Sequence, residues 1–121
     1  MQNNNLKGKG LYIQLYNIHG LIRGYDLELG RDADTGGQTK YVLELADELS
    51  KDSRVEKVEI LTRLIKDKNV SSDYSVPVEK VNDNLNIVRI QCGGGKYIRK
   101  ELLWNHLEEF VDNYISNFKN D

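Results

Sequence analysis

The 121-residue chain has the length of one domain or a piece of one. Charged residues make up 30% and hydrophobic residues 39%, a composition that excludes intrinsic disorder, and the formal net charge of −2 points to neither a nucleic acid nor a membrane as partner. The apolar runs are too short to span a bilayer. A single cysteine, Cys92, rules out an internal disulfide and favours a reducing, cytoplasmic location.

The amino-terminal half of the chain predicts a tail, a strand and a helix. Residues 1–10 are polar and lack an apolar signal-peptide core, so we expect a disordered tail there and the folded part of the chain over residues 11–121. A strand is predicted at Leu11–Ile18 from its β-branched and aromatic residues. It is followed by a long glycine-containing loop at His19–Gly36 and an amphipathic helix at Gly37–Lys51.

The carboxyl-terminal half predicts two more strands and a second long helix. After a strand at Lys57–Thr62, the polar segment Lys66–Asn84 shows no clear period and is predicted as a loop. A third strand at Asn86–Gln91 leads through the glycine-rich loop Cys92–Arg99 into a helix at Lys100–Lys119. The order β-α-β-β-α predicts an α/β, partial Rossmann-like fold with a mostly parallel three-stranded sheet and two long helices.

The two glycine-containing loops are predicted to lie at one edge of this sheet. In doubly wound folds, the loops at the carboxyl ends of the parallel strands form the ligand crevice. His19–Gly36 and Cys92–Arg99 both follow strands, and both are rich in glycine and basic residues. Their agreement on one edge favours a site for an anionic ligand.

The first loop ends in a glycine turn that opens the first helix. Gly36 and Gly37 would let a ligand approach the backbone, and the helix amino end suits a phosphate or a sugar. Gln38 can donate and accept hydrogen bonds, as recognition of sugar hydroxyls requires. Thr35 and Gln38 also match a capping box, in which Gln38 would only satisfy a backbone N–H of the helix. The local sequence leaves these two interpretations open.

The second loop carries the other candidate anion site. Three consecutive glycines precede Lys96, and two further cations, Arg99 and Lys100, stand where the second helix opens. A glycine run with cations beside a helix amino end can hold a phosphate, although it can also be a solvated basic surface. The presence of the first loop at the same edge favours anion binding, above all by Lys96.

We expect structural rather than catalytic roles for the remaining reactive side chains. We expect His19 to be satisfied by backbone groups, although it could reach a ligand from that edge, and His106 to lie on the surface. Cys92 is expected to be a small buried side chain rather than a nucleophile. Asp32 and Asp34 are expected in ion pairs or turns. No Cys/His cluster has metal-ligand spacing, so no metal is expected.

Several motifs resemble the amino-terminal region of sucrose-phosphate synthases. They are HGLIRG at His19–Gly24, ELGRDADTGGQTKYV at Glu28–Val42, LTR at Leu61–Arg63, and CGG, KYI and KELLW within Cys92–Trp104. The resemblance covers about Leu11–Phe118. Sucrose synthases share the core Asp-Thr-Gly-Gly-Gln, but HGLIRG and ELGRD favour the phosphate-synthase branch.

The resemblance implies a two-domain GT-B glycosyltransferase that transfers glucose, with retention of configuration, from UDP-glucose to fructose 6-phosphate. A nucleotide sugar and a sugar phosphate would be its partners, and it would need no cofactor. The motif match implies substrate contacts for the glycine turn and for the lysine after the glycine run, with two neighbouring cations as further candidates. These residues are Gly36, Gly37, Gln38, Lys96, Lys100 and Arg99.

The resemblance also implies that part of the enzyme is missing from these 121 residues. The family's next strand, with its active-site histidine, and the donor-binding domain have no counterpart here, so we expect an inactive acceptor-side fragment. A sucrose synthase-like transferase and a sugar-phosphate-binding fragment without turnover are the alternatives. Without a fourth strand beside it, Leu11–Ile18 would form an exposed apolar edge, and self-association is expected.

Overall fold

A computed structural model of the chain describes residues 10–29, 35–98 and 100–118. The predicted tail therefore lies, except for Gly10, outside the described residues. In chain order the elements are β1 (Leu11–Tyr16), α1 (Gly37–Ser50), β2 (Val55–Arg63), a 3-10 turn (Ser72–Ser75), β3 (Val78–Asn82), β4 (Leu85–Ile90), the short helix α2 (Lys100–Leu103), a second 3-10 turn (Trp104–His106) and α3 (Leu107–Phe118).

The strands form one sheet in the order β1-β2-β4-β3. β2 runs parallel to both of its neighbours, whereas β3 runs antiparallel to β4. The prediction of an α/β fold with a mostly parallel sheet is confirmed. The expected count of three strands is wrong, because part of the segment predicted as a loop at Lys66–Asn84 forms the edge strand β3.

The missed strand explains how the chain connects two parallel strands without a helix. After β2 the chain passes the first 3-10 turn, runs back as β3 and reverses through Asp83-Asn84 into β4. Asn84 N–H donates to Asn82 Oδ1 at 2.8 Å, which closes this reversal. Val78 and Lys80 are exposed in β3, so this edge strand lacks the apolar pattern that identified the others.

Two helices cover opposite faces of the sheet. On the α1 face, Ala46 packs with apolar side chains of β2 and β4, namely Val55, Val58, Ile60, Leu85 and Ile87. On the other face, Phe110 of α3 packs with Leu61, Val88, Ile90 and Cys92. This doubly wound arrangement brings the carboxyl ends of β1, β2 and β4 to one edge, where the glycine loops begin.

The predicted single helix at Lys100–Lys119 is interrupted by the 3-10 turn Trp104–His106, and Lys119 lies outside the described residues. The interruption lies against the glycine loop. Cys92 Sγ donates to the His106 carbonyl at 3.1 Å, and a Cβ at Gly93 would lie 3.1 Å from the His106 ring. His106 is therefore half-buried in this contact, not the surface residue expected from sequence.

β1 lies at one edge of the sheet, and three of its apolar side chains are more than half exposed: Leu11, Tyr12 and Tyr16. The strand contains no charged residue, although edge strands are commonly protected by charge. The rings of Phe110 and Tyr114 in α3 contact Tyr16. The residues that follow them, Val111 and Ile115, are exposed.

Among the described helices, none has the length and apolar character needed to cross a membrane.

Candidate functional site

The two glycine-containing loops are joined at the carboxyl edge of the sheet. Thr35 immediately precedes the glycine turn and Tyr97 immediately follows Lys96, and their hydroxyl oxygens lie 3.0 Å apart. Leu21 N–H donates to the same Thr35 oxygen at 3.0 Å, and Thr35 is fully buried. The prediction that the two loops lie at one edge is therefore confirmed by a direct contact between them.

The capping interpretation of Thr35 and Gln38 is wrong. Gly36 is the N-cap of α1, and no side-chain hydrogen bond caps the helix there. The Thr35 hydroxyl is directed at Leu21 and Tyr97, while Gln38 Nε2 donates to Asn17 Oδ1 at 3.3 Å. Gln38 is exposed at the mouth of the first loop, so its amide stands where a ligand would meet the helix.

The space in front of both glycines of the turn holds no atom of the described residues. A Cβ built at Gly36 or Gly37 would meet no atom of the described chain within 4 Å, and neither residue has a left-handed φ. No contact with the described residues therefore requires glycine at either position. The first turn of α1 contains no acidic residue, so the positive end of the helix dipole is available to an anion.

The second loop is held by a buried arginine for which the sequence predicted no role in the site. Arg63 ends β2 and is only 2% exposed. Its guanidinium donates to four backbone carbonyls of the glycine loop, those of Cys92, Gly93, Gly94 and Lys96. Burial lowers the pKa of Arg63 below its usual range. An arginine that ends an apolar strand needs buried acceptors, and this was the signal available in the sequence.

The loop that follows β2 supports the glycine loop from a second side. Lys66 N–H donates to the Gly95 carbonyl at 2.7 Å, and Tyr97 N–H donates to Asp67 Oδ2 at 3.1 Å. Hydrogen bonds from the backbone N–H groups of Asn69 and Tyr97 hold the pKa of Asp67 below its usual range. The Lys96 side chain is exposed on this fixed backbone.

The segment after β1 completes the edge. Asn17 is 1% exposed, and its Nδ2 donates to the His19 carbonyl at 3.2 Å while its Oδ1 accepts from Gln38. The His19 ring is half-buried, and its Nδ1 has no hydrogen-bond partner within the described part of the chain. The expectation that backbone groups satisfy His19 is therefore wrong at this nitrogen.

The other candidates are less fully described. Asp32, Asp34 and Arg99 lie outside the described residues, and Lys100 begins α2 with a side chain that is likewise outside them. Cys92 is fully buried, as predicted, and burial raises the pKa of its thiol. Among the described residues, no group of three or more His, Cys, Asp or Glu side chains could hold a metal ion.

Comparisons with known proteins identify relatives of this chain. No protein-family model matches the chain. It is 47% identical over 117 residues to sucrose-phosphate synthase 4 of Arabidopsis thaliana, covering 89% of this chain and 11% of that protein. It is 43% identical over 127 residues to the sucrose-phosphate synthase of Zea mays, covering 94% and 12%. This chain is homologous to a segment of the sucrose-phosphate synthases.

A solved structure agrees with the sequence relatives. The sucrose-phosphate synthase of Thermosynechococcus elongatus matches with a TM-score of 0.68 and 26% identity, covering 88% of this chain and 24% of that one. The chain spans about a tenth of the length of the curated sucrose-phosphate synthases it matches. The homology therefore describes the α/β segment and its two loops, not a whole synthase.

Proposed function

We propose that this segment forms the acceptor-binding side of a sucrose-phosphate synthase-type glycosyltransferase. The whole enzyme would transfer glucose from UDP-glucose to fructose 6-phosphate, giving sucrose 6-phosphate, at a cytoplasmic location. The observation that carries the proposal is the 3.0 Å contact between Thr35 and Tyr97. It holds a glycine turn at a helix amino end against a glycine loop that presents Lys96, which together suit one phosphorylated sugar.

The loops divide the acceptor between them in this proposal. The open space at Gly36 and Gly37 admits the sugar ring close to the backbone, and Gln38 offers its amide to the hydroxyls. Lys96 would bind the acceptor phosphate, because an exposed ammonium on a fixed loop is a suitable point charge for a dianion. Lys100 is proposed as a second phosphate contact on family resemblance.

Binding, and not transfer, is the activity that we propose for these 121 residues by themselves. The two loops would hold the acceptor, while UDP-glucose would be held by the donor-binding domain of the longer enzyme. A sucrose synthase-like acceptor site would take fructose without a phosphate. The choice between the two branches therefore depends on whether the phosphate contributes to affinity.

Calorimetric titration of the chain with fructose 6-phosphate, fructose and inorganic phosphate tests this function. We expect fructose 6-phosphate to bind about tenfold or more tightly than fructose, because each charge-assisted hydrogen bond to the phosphate contributes on the order of 1.5–3 kcal/mol. Equal affinities for fructose 6-phosphate and fructose would contradict the phosphate-synthase assignment. Binding of inorganic phosphate alone with the same affinity would contradict recognition of the sugar.

We further propose that the 121-residue chain self-associates through the uncharged edge strand β1. A second copy could add its own β1 to the edge that pairs with no described strand, and so cover Leu11, Tyr12 and Tyr16. Sedimentation velocity should show a dimer whose fraction rises with protein concentration. The variant Tyr12→Lys places a charge on the exposed edge and should shift the chain to monomer. A wild-type chain that remains monomeric at high concentration would contradict this proposal.

A further inference from the structure

Arg63 is a buried cation that is balanced by carbonyl dipoles. Within the described part of the chain, the charge of the Glu109 carboxylate acts on Arg63 without a hydrogen bond to its guanidinium, whereas four carbonyls of residues 92–96 accept its hydrogen bonds. A buried guanidinium tolerates this arrangement only if the carbonyls are held firmly toward it. Arg63 therefore fixes the direction of the peptide groups in the glycine loop.

The direction of these carbonyls decides where the loop's N–H groups point. In a trans peptide the C=O and the following N–H point in opposite directions, and the described chain has no cis peptide. Because the carbonyls of Gly93 and Gly94 face Arg63, the N–H groups of Gly94 and Gly95 point away from it. The φ values of +67° at Gly93 and +78° at Gly94 make this turn possible, and glycine adopts them without strain.

The N–H groups that flank this pair already bind carboxylates. Gly93 N–H donates to Glu109 Oε1 at 2.9 Å, and Tyr97 N–H donates to Asp67 Oδ2 at 3.1 Å. Three N–H groups lie between them, those of Gly94, Gly95 and Lys96, and none has an acceptor among the described residues. A Cβ at Gly94 would enter open space, so an oxygen atom can approach the backbone there.

We infer that Arg63 is a positioning residue that turns the Gly94 and Gly95 N–H groups outward as an anion-binding nest beside Lys96. Successive outward N–H groups in a turn bind phosphate oxygens, and the charge of Arg63 beneath the loop strengthens that field. This inference rests on the proposed function, because it assumes that the acceptor phosphate is bound at this loop. It assigns the phosphate two backbone donors in addition to the Lys96 ammonium.

Substitution of Arg63 by lysine tests the inference while the positive charge is kept. A lysine ammonium is a point charge and cannot reproduce the planar fork that reaches four carbonyls. We expect Arg63→Lys to weaken fructose 6-phosphate binding about tenfold and to leave fructose binding unchanged, because hydrogen bonds to the phosphate alone are lost. In the wild-type chain, the amide protons of Gly94 and Gly95 should shift on addition of fructose 6-phosphate but not of fructose.

A matched control is Arg89→Lys, because Arg89 lies on β4 beside β2, is also buried at 3% exposure and donates to two backbone carbonyls. It should keep the preference for fructose 6-phosphate. A wild-type chain that does not prefer fructose 6-phosphate would overturn the proposed function itself. The inference alone would be overturned if the wild-type chain prefers fructose 6-phosphate but its Gly94 and Gly95 amide protons do not shift. It would also be overturned if Arg63→Lys keeps the wild-type preference for fructose 6-phosphate. If Arg63→Lys does not fold, the wild-type amide shifts still decide.

Discussion

Substitution of Gly37 by valine is expected to weaken binding of fructose 6-phosphate about tenfold or more, which corresponds to at least ~1.4 kcal/mol. The added side chain would fill the open space at the amino end of α1, where a Cβ meets nothing of the described chain within 4 Å. A bound sugar that approaches the backbone there would collide with it. Titration calorimetry on the variant and the wild-type chain measures the loss.

The folded state should accept this valine, which separates the binding effect from a folding defect. Gly37 has no left-handed φ, and replacing glycine reduces the entropy of the unfolded chain. The free energy of unfolding should therefore change by less than ~1 kcal/mol in urea denaturation. Glu48→Val adds the same side chain to an exposed position far along α1 and should leave binding intact. Wild-type affinity in Gly37→Val would show that no ligand approaches the turn.

Substitution of Arg89 by methionine is expected to lower the free energy of unfolding by about 3 kcal/mol. Arg89 pairs with Glu79 at 2.7 Å, and their side chains are 1% and 19% exposed. The same guanidinium donates to the carbonyls of Ile22 and Val76. Its loss would leave a largely buried carboxylate without its cation and two carbonyls without donors.

A surface ion pair with the same nitrogen–oxygen distance provides the control for this stability measurement. Arg54 also lies 2.7 Å from its partner Asp52, but the two side chains are 82% and 32% exposed. Water and salt screen such a pair, so Arg54→Met should leave the free energy of unfolding nearly unchanged. If urea denaturation shows that Arg54→Met and Arg89→Met lower the free energy of unfolding equally, burial of the Arg89 pair does not contribute to stability as proposed.

The elements with clear hydrophobic periodicity could be predicted from sequence. The helix expected at Gly37–Lys51 is found at Gly37–Ser50, and the strand expected at Asn86–Gln91 is found at Leu85–Ile90. Each of these elements buries one face or both, so its apolar pattern follows directly from its place in the sheet or against it. Strands of this kind also fixed the edge at which the two loops meet.

The features that depend on distant partners could not be predicted. β3 has two exposed positions among its five residues and pairs only with β4, so its sequence resembles a polar loop. Thr35 matches a capping box, but its hydroxyl is drawn away by Leu21 and by Tyr97, 62 positions along the chain. The role of Arg63 likewise depends on carbonyls about 30 residues away. In each case a tertiary contact overrides the local pattern.

The glycine turn and the Lys96 loop are proposed to bind one ligand. This shared binding is tested most directly by titrating the isotopically labelled chain with fructose 6-phosphate and following the backbone amides of Gly37 and Lys96 together. If one phosphorylated sugar bridges the two loops, both amides should shift along curves that give the same Kd. Fructose should shift the Gly37 amide but should not reproduce the shift that fructose 6-phosphate causes at the Lys96 amide. A response confined to one loop, or two different Kd values, would contradict a shared acceptor site.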